Sequence, residues 1–343
     1  MSSFAALEHA DLPSLTLPVH DAGDFRVVQG VNEGDALGDA SELLLEDDYA
    51  LITPRTPLLS MTIPDHDGPL CIAEGSEVGT PGAPVFLDCV LTFMPPHGET
   101  LEAIVLVETT PDRTRIAAIY LYPLTPMRSG VQYTLVTINT ENPRARLAQT
   151  ASVSFTRGTR ITLADGRQAP IETLAPGDRI LTRDSGPQPI RWIGQQTVRA
   201  TGAFAPITIA AGALNNEAEL TLSPSHRLFI YQRVDALKAG QKEVLVRARD
   251  LVGGPDVTRS EGGFVDYYQL LFDKHEIIYA EGIPAESLFV DQINSPALPE
   301  GLAPHARGTH ARELGKDALV QCAKPDNALG TLRAVKGAGP RGF

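Results

Sequence analysis

Between residues 85 and 138, four runs of apolar and β-branched residues recur: 85–94, 101–107, 116–122 and 133–138. Pro, Gly, Asp and Ser punctuate them at nearly regular intervals. β-Branched and aromatic side chains fit a pleated surface, whereas Gly and Pro interrupt regular elements and supply turns. Short strands spaced this way predict an all-β unit of the sandwich kind. Residues 1–50 mix acids, glycine and short apolar pairs without a clear period, and 21–24 and 46–48 are expected to be loops.

Asn142-Pro143-Arg144-Ala145-Arg146 breaks this pattern and is expected to separate two domains. A length of 343 residues suits about two domains of ordinary size. Beyond the break the chain stays β-rich. Ile161-Thr162-Leu163-Ala164-Asp165-Gly166-Arg167 reads as a strand entering an Asp-Gly hairpin turn. Pro176-Gly177 likewise turns the chain into Asp178-Arg179-Ile180-Leu181-Thr182. Helical periodicity is nearly absent, with short possibilities around 247–251. The expected organisation is an acidic β-rich domain at 1–150, a second β domain at 151–296, and an extended or partly disordered tail at 297–343. The tail has room for a short helix near 311–319.

Charge narrows the functions open to such a chain. Residues 1–150 hold 21 Asp and Glu against 7 Arg and no Lys, whereas 151–296 hold 17 acids against 15 bases. Phosphate contacts need clustered Lys and Arg, so the acidic front half argues against a nucleic-acid partner. No D-x-D-x-D-G spacing offers a calcium loop. No run approaches the ~20 apolar residues of a membrane-spanning helix. The first residues lack a basic segment followed by an apolar one. The expectation is a chain without a membrane span, either cytoplasmic or exported by a route that needs no cleaved N-terminal signal. Cys71, Cys89 and Cys322 lack metal-type spacing and are expected to be buried or inert thiols, with a Cys71–Cys89 bridge as the alternative in an oxidising compartment. His66 and His97 stand alone in Pro/Asp/Gly loops and are expected at the surface. Nothing here points to a metal or a cofactor, and the residues of the front domain do not name its partner.

The chemistry lies elsewhere. Val153-Ser154-Phe155-Thr156-Arg157-Gly158-Thr159-Arg160-Ile161 sets a small hydroxyl residue before an aromatic, a glycine turn and a β-rich run. Leu174-x-Pro176-Gly177-Asp178-x-Ile180-Leu181-Thr182 and Ile190-Arg191-Trp192-Ile193-Gly194 follow. Then come Leu222-Ser223-Pro224-Ser225-His226-Arg227, and Asp273-Lys274-His275 with Ala280-Glu281-Gly282. In this order the motifs, from about Ser152 to Ser287, resemble the Hedgehog/intein (Hint) domain in the version common in bacterial proteins outside true inteins.

The resemblance implies a flat β horseshoe that acts on its own chain without a cofactor or metal. The side chain at its first position attacks the preceding carbonyl and turns the amide into an ester, and water then releases the upstream segment. Here Ser154 is the expected nucleophile and Val153–Ser154 the bond cut, which makes the domain an intramolecular, single-turnover autoprotease. A peptide nitrogen is a poor leaving group and needs a proton donor, the role implied for His226. Ser223 is expected to hold the reacting backbone, Asp273 to relay protons to or from the Ser154 hydroxyl, and His275 to support either partner. Trp192 reads as a core anchor, and Arg191 and Arg227 as strand-face charges.

Two departures from the family pattern bear on this expectation. The usual first residue is Cys, and a serine hydroxyl is far less acidic than a thiol of pKa about 8.5, so Ser154 depends more on a well-placed base. Splicing needs a terminal His-Asn pair, and the aligned place reads Ala285-Glu286-Ser287-Leu288, which excludes cyclisation of an Asn there. The alternative is a degenerate, inactive Hint fold in a structural or binding protein. A serine hydrolase acting on outside substrates has no G-x-S-x-G elbow around Ser154 to support it.

Overall fold

The computed structural model of the chain describes residues 14–62, 69–98, 100–151, 154–231 and 243–288. His66, Cys322, Val153 and the tail with its expected helix lie outside the described residues. The chain divides into two compact units, one running to Gln149 and the other opening at Thr150.

The first unit holds ten strands: β1 (Ser14–Pro18), β2 (His20–Asp21), β3 (Phe25–Gln29), β4 (Asp48–Leu51), β5 (Leu58–Thr62), β6 (Leu70–Ile72), β7 (Pro84–Met94), β8 (Leu101–Thr109), β9 (Ile116–Pro123) and β10 (Gln132–Asn139). All pair antiparallel within one sheet, curled into a half-barrel. The long β7 makes this possible. It carries β8 along one edge and shares the other between β6 and β10, and a bulge between Leu87 and Cys89 adds local twist. Phe25 stacks on Tyr49 at 5.2 Å and meets Phe93 edge-on at 5.3 Å in the hollow of the curl. The four predicted runs are β7 to β10. The strands before residue 51 are only two to five residues long, too short for their alternation to register in the sequence. Cys71 and Cys89 are unbridged thiols, Cys89 buried, and His97 is exposed.

Where the sequence shows only a break, the chain forms α1 (Pro143–Ala151). Proline is tolerated in a first helical turn, because its missing N–H has no helical partner there. Leu147 and Ala148 are fully buried and dock this short helix.

The second unit holds β11 (Phe155–Thr156), β12 (Arg160–Thr162), β13 (Gln168–Pro170), β14 (Arg179–Thr182), β15 (Gly186–Pro189), β16 (Trp192–Arg199) and β17 (Ile207–Ile209). After these come β18 (Leu220–Leu222), β19 (Arg227–Tyr231), β20 (Glu243–Arg247), β21 (Val257–Arg259), β22 (Phe264–Leu271), β23 (Ile277–Ala280) and β24 (Ile283–Glu286). They make a six-stranded sheet ordered β16-β22-β11-β18-β17-β21 and an eight-stranded sheet built on β13-β12-β23-β24-β19-β20. The Asp165-Gly166 hairpin is present, with Thr162 opposite Gln168 and Gly166 at φ +85°, a conformation that side chains with a Cβ rarely adopt. The short helical stretch near 247–251 is a 3-10 turn, Ala248–Leu251.

Phe155, Leu222 and Tyr268 from one sheet and Ile161, Leu228 and Ala285 from the other belong to a single buried core. Fully burying a side chain such as Phe155 contributes about 1.5–3 kcal/mol. The link between β18 and β19, Ser223 to His226, carries the chain from the first sheet into the second. Trp192 is not the expected core anchor. It is half-buried and lies across Gly194, where a Cβ would come within 2.3 Å of its ring, while Ile190 and Phe272 fill the interior.

Candidate functional site

Ser154 precedes β11, and its surroundings follow from strand register. Phe155 pairs with Leu222 on one side and Tyr268 on the other. One step back along both ladders, Ser154 faces Ser223 on β18's side and Gln269 on β22's side. The Ser154 carbonyl accepts the Ser223 main-chain N–H at 2.9 Å, and the Ser154 N–H donates to Ser223 Oγ at 3.0 Å. That nitrogen belongs to the Val153–Ser154 peptide bond. Ser223 therefore grips the residue from both ends, with its hydroxyl taking the place of a ladder carbonyl. Gln269 Nε2 donates to Ser154 Oγ at 3.3 Å.

His226 completes the group. Its ring meets Phe155 edge-on at 4.4 Å, and Nδ1 lies 3.2 Å from the Ser154 carbonyl oxygen. A carbonyl has no proton to give, so Nδ1 carries the ring hydrogen and Nε2 is the basic nitrogen. Nε2 is buried and makes no hydrogen bond of good geometry among the described residues. Burial pushes the ring pKa down to about 4 against the favourable charge of Glu286 and the main-chain groups of Ser154 and Glu286. His226 is therefore a neutral imidazole near pH 7, able to take up a proton and return it. Ser154, Ser223 and His226 are all buried, at 1%, 6% and 0% exposure, so the hydrogen bonds among them act in a medium of low dielectric.

The other two expected residues pair with charged groups outside this trio. The Asp273 side chain is 60% exposed and pairs with Arg191 Nε at 2.9 Å, and no described contact joins it to Ser154. His275 is buried, but its Nε2 stands 2.9 Å from Glu286 Oε1. Arg227, expected as a strand-face charge, is half-buried, and its guanidinium binds both oxygens of the buried Glu286 carboxylate. Gln269 and Glu286 are the residues that motif reading misses. Each was visible only as a lone polar residue in an apolar run, Tyr267-Tyr268-Gln269-Leu270-Leu271 and Ile283-Pro284-Ala285-Glu286. Among the described residues, no three His, Cys, Asp or Glu side chains are gathered so as to hold a metal ion, and no helix is long and apolar enough to cross a membrane.

Residues 153–292 match the family described as the Hint domain. This segment is a Hint domain, and the match opens at Val153, one residue before the serine just described. Two solved structures are similar to part of the chain. The crystal structure of the TvoVMA intein is 15% identical, over 39% of this chain and 96% of that one, with a TM-score of 0.28. That of the gp41-1 intein is 10% identical, over 39% and 97%, with a TM-score of 0.25. No curated protein matches the chain in sequence.

Proposed function

We propose that this chain carries a Hint domain of the bacterial, non-splicing kind that cuts its own backbone at Val153–Ser154 and releases the acidic front segment. The observation that carries the reading is the grip of Ser223 and His226 on the two ends of Ser154, one on its amide nitrogen and the other on its carbonyl. In the reaction, Ser154 Oγ attacks the Val153 carbonyl carbon, a C–O bond forms, and the C–N bond breaks. The hydroxyl proton ends on the departing nitrogen, with neutral His226 as the group suited to carry it. Water then hydrolyses the ester, leaving a carboxylate on Val153 and restoring the Ser154 hydroxyl beside a free amine. With Glu286-Ser287 where a splicing domain ends in His-Asn, no ligation follows.

Intact-mass spectrometry of the purified full chain over time tests this. A fragment of residues 1–153 should accumulate, faster with hydroxylamine, which intercepts an ester and leaves a hydroxamate on Val153. A chain that keeps its full mass under both conditions would refute the cleavage reading. Asp273 is paired at the surface with Arg191, and this reading gives it no part in the chemistry. Asp273→Asn should therefore cleave within about twofold of the wild-type rate, since exposed ion pairs contribute little; a much larger loss would restore the proton-relay role.

One observation favours a second reading. Among the described residues, the side chain bonded to Ser154 Oγ is the amide of Gln269, which is no base. On this reading the Hint fold is inert and the chain is a structural or binding protein. It would persist at full length while its front domain captures a defined partner.

A further inference from the structure

The cleavage reading leaves the most deeply buried carboxylate of the described residues without a task. Glu286 closes β24 and is completely buried, and a carboxylate is tolerated there only when its partners satisfy it. Arg227 binds both of its oxygens through Nε and Nη2, and His275 Nε2 adds the contact at 2.9 Å. Strand register connects this cluster with the site. β19 meets β24 with Leu228 opposite Ala285. One step along that antiparallel ladder sets Arg227 opposite Glu286, with His226 next in line. Alternation turns the His226 side chain away from the Arg227 face and toward that of Leu228, which shares the core with Phe155. The His226 carbonyl is held on its other side by the Ala248 N–H at 2.8 Å. The Arg227–Glu286 clasp therefore fixes the first residue of β19, immediately beside the ring that reaches Ser154.

We propose that Glu286, through Arg227 and His275, is a positioning residue that sets the His226 ring on the Ser154 carbonyl. Its consequence for rate rests on the cleavage reading above, whereas its geometry does not. Where a splicing domain would carry its terminal pair, this chain has built an internal strut.

The test uses the full chain with Ser154→Ala, which keeps the Val153–Ser154 bond intact. In that background NMR of the histidine side chains should show a slowly exchanging Nδ1–H for His226. Adding Glu286→Gln should make that proton exchange at least about tenfold faster, and in the Ser154 chain it should slow cleavage by about ten- to a hundredfold, as misplacing a catalytic group by an ångström does. Because Glu286→Gln leaves Arg227 unpaired and can unfold the domain, the double variant Arg227→Met with Glu286→Leu serves beside it. Replacing both partners of a buried pair by apolar residues is commonly tolerated. Folding is followed through Trp192, the only tryptophan. The same loss of Nδ1–H protection in a folded double variant supports the strut. An unchanged His226 signal there overturns it, whatever happens to cleavage. A wild-type chain that never cleaves overturns the functional reading instead, and the NMR comparison still decides the role of Glu286.

Discussion

A chain carrying Ser154→Ala should stay at full mass for as long as wild type takes to release residues 1–153. The substitution removes Oγ and nothing else that the site depends on. The Ser154 N–H to Ser223 Oγ bond and both bonds to the Ser154 carbonyl are made by the main chain and survive in alanine. The one bond lost is that from half-buried Gln269, which contributes about 1 kcal/mol or less. Loss of the fragment would therefore report chemistry and not unfolding. Ser154→Cys provides the matching gain. A thiol of pKa about 8.5 ionises far more readily than a hydroxyl, so the variant should cleave at least as fast as wild type. Its thioester should also make fragment release depend on added small thiols, which the wild-type ester does not. Fragment of residues 1–153 appearing at the wild-type rate in Ser154→Ala would eliminate the serine from the mechanism.

Replacing His226 should be nearly as severe, and it leaves a second, independent trace. His226→Gln removes the proton carrier and should slow cleavage by about 10²–10⁴-fold. The second trace lies in acid stability. The folded pKa is near 4 and the unfolded value is about 6.5, so between these values the unfolded state binds the extra proton. Stability contributed by the neutral ring is therefore complete above about pH 6.5, falls as the pH drops toward 4, and amounts to about 3 kcal/mol. Glu286 acts in the same direction at lower pH. Burial alone would raise its pKa, but Arg227 and His275 outweigh that and hold it below the usual carboxylate range, so its share is lost as acid protonates it. Urea unfolding of the Ser154→Ala chain, followed by Trp192 fluorescence at pH 7 and pH 4.5, should show this loss, and His226→Gln should reduce it. Equal pH slopes in the two chains would mean that His226 is not the neutral buried base described above.

Which parts of this were legible beforehand follows from the range of each interaction. The runs that became β7 to β10 and the Asp165-Gly166 hairpin depend on contacts among near neighbours, and local pattern was enough. β1 to β4 were missed because two to five residues are too few to show alternation, and their pairing partners lie far along the chain. α1 was missed because a proline that halts an interior helix also suits the first turn of a new one. Ser154, Ser223 and His226 could be named because the motif order that marks the domain also marks them.

Asp273 and Gln269 show the limit most clearly. They lie four residues apart at the end of the same apolar run, and side-chain chemistry alone favours the carboxylate as the nucleophile's partner. Register decides otherwise. β11 meets β22 with Phe155 on Tyr268, which brings Gln269 to the hydroxyl and carries Asp273 past the strand's end to Arg191. Residue identity thus determined that the motifs of a Hint domain run from this serine onward, that a hydroxyl and not a thiol stands first among them, and that Ala285-Glu286-Ser287-Leu288 holds no Asn. Only the tertiary structure determined which polar groups share the buried space around Ser154, because that depends on how strands more than sixty residues apart align, and a step of one residue sends a side chain to the opposite face.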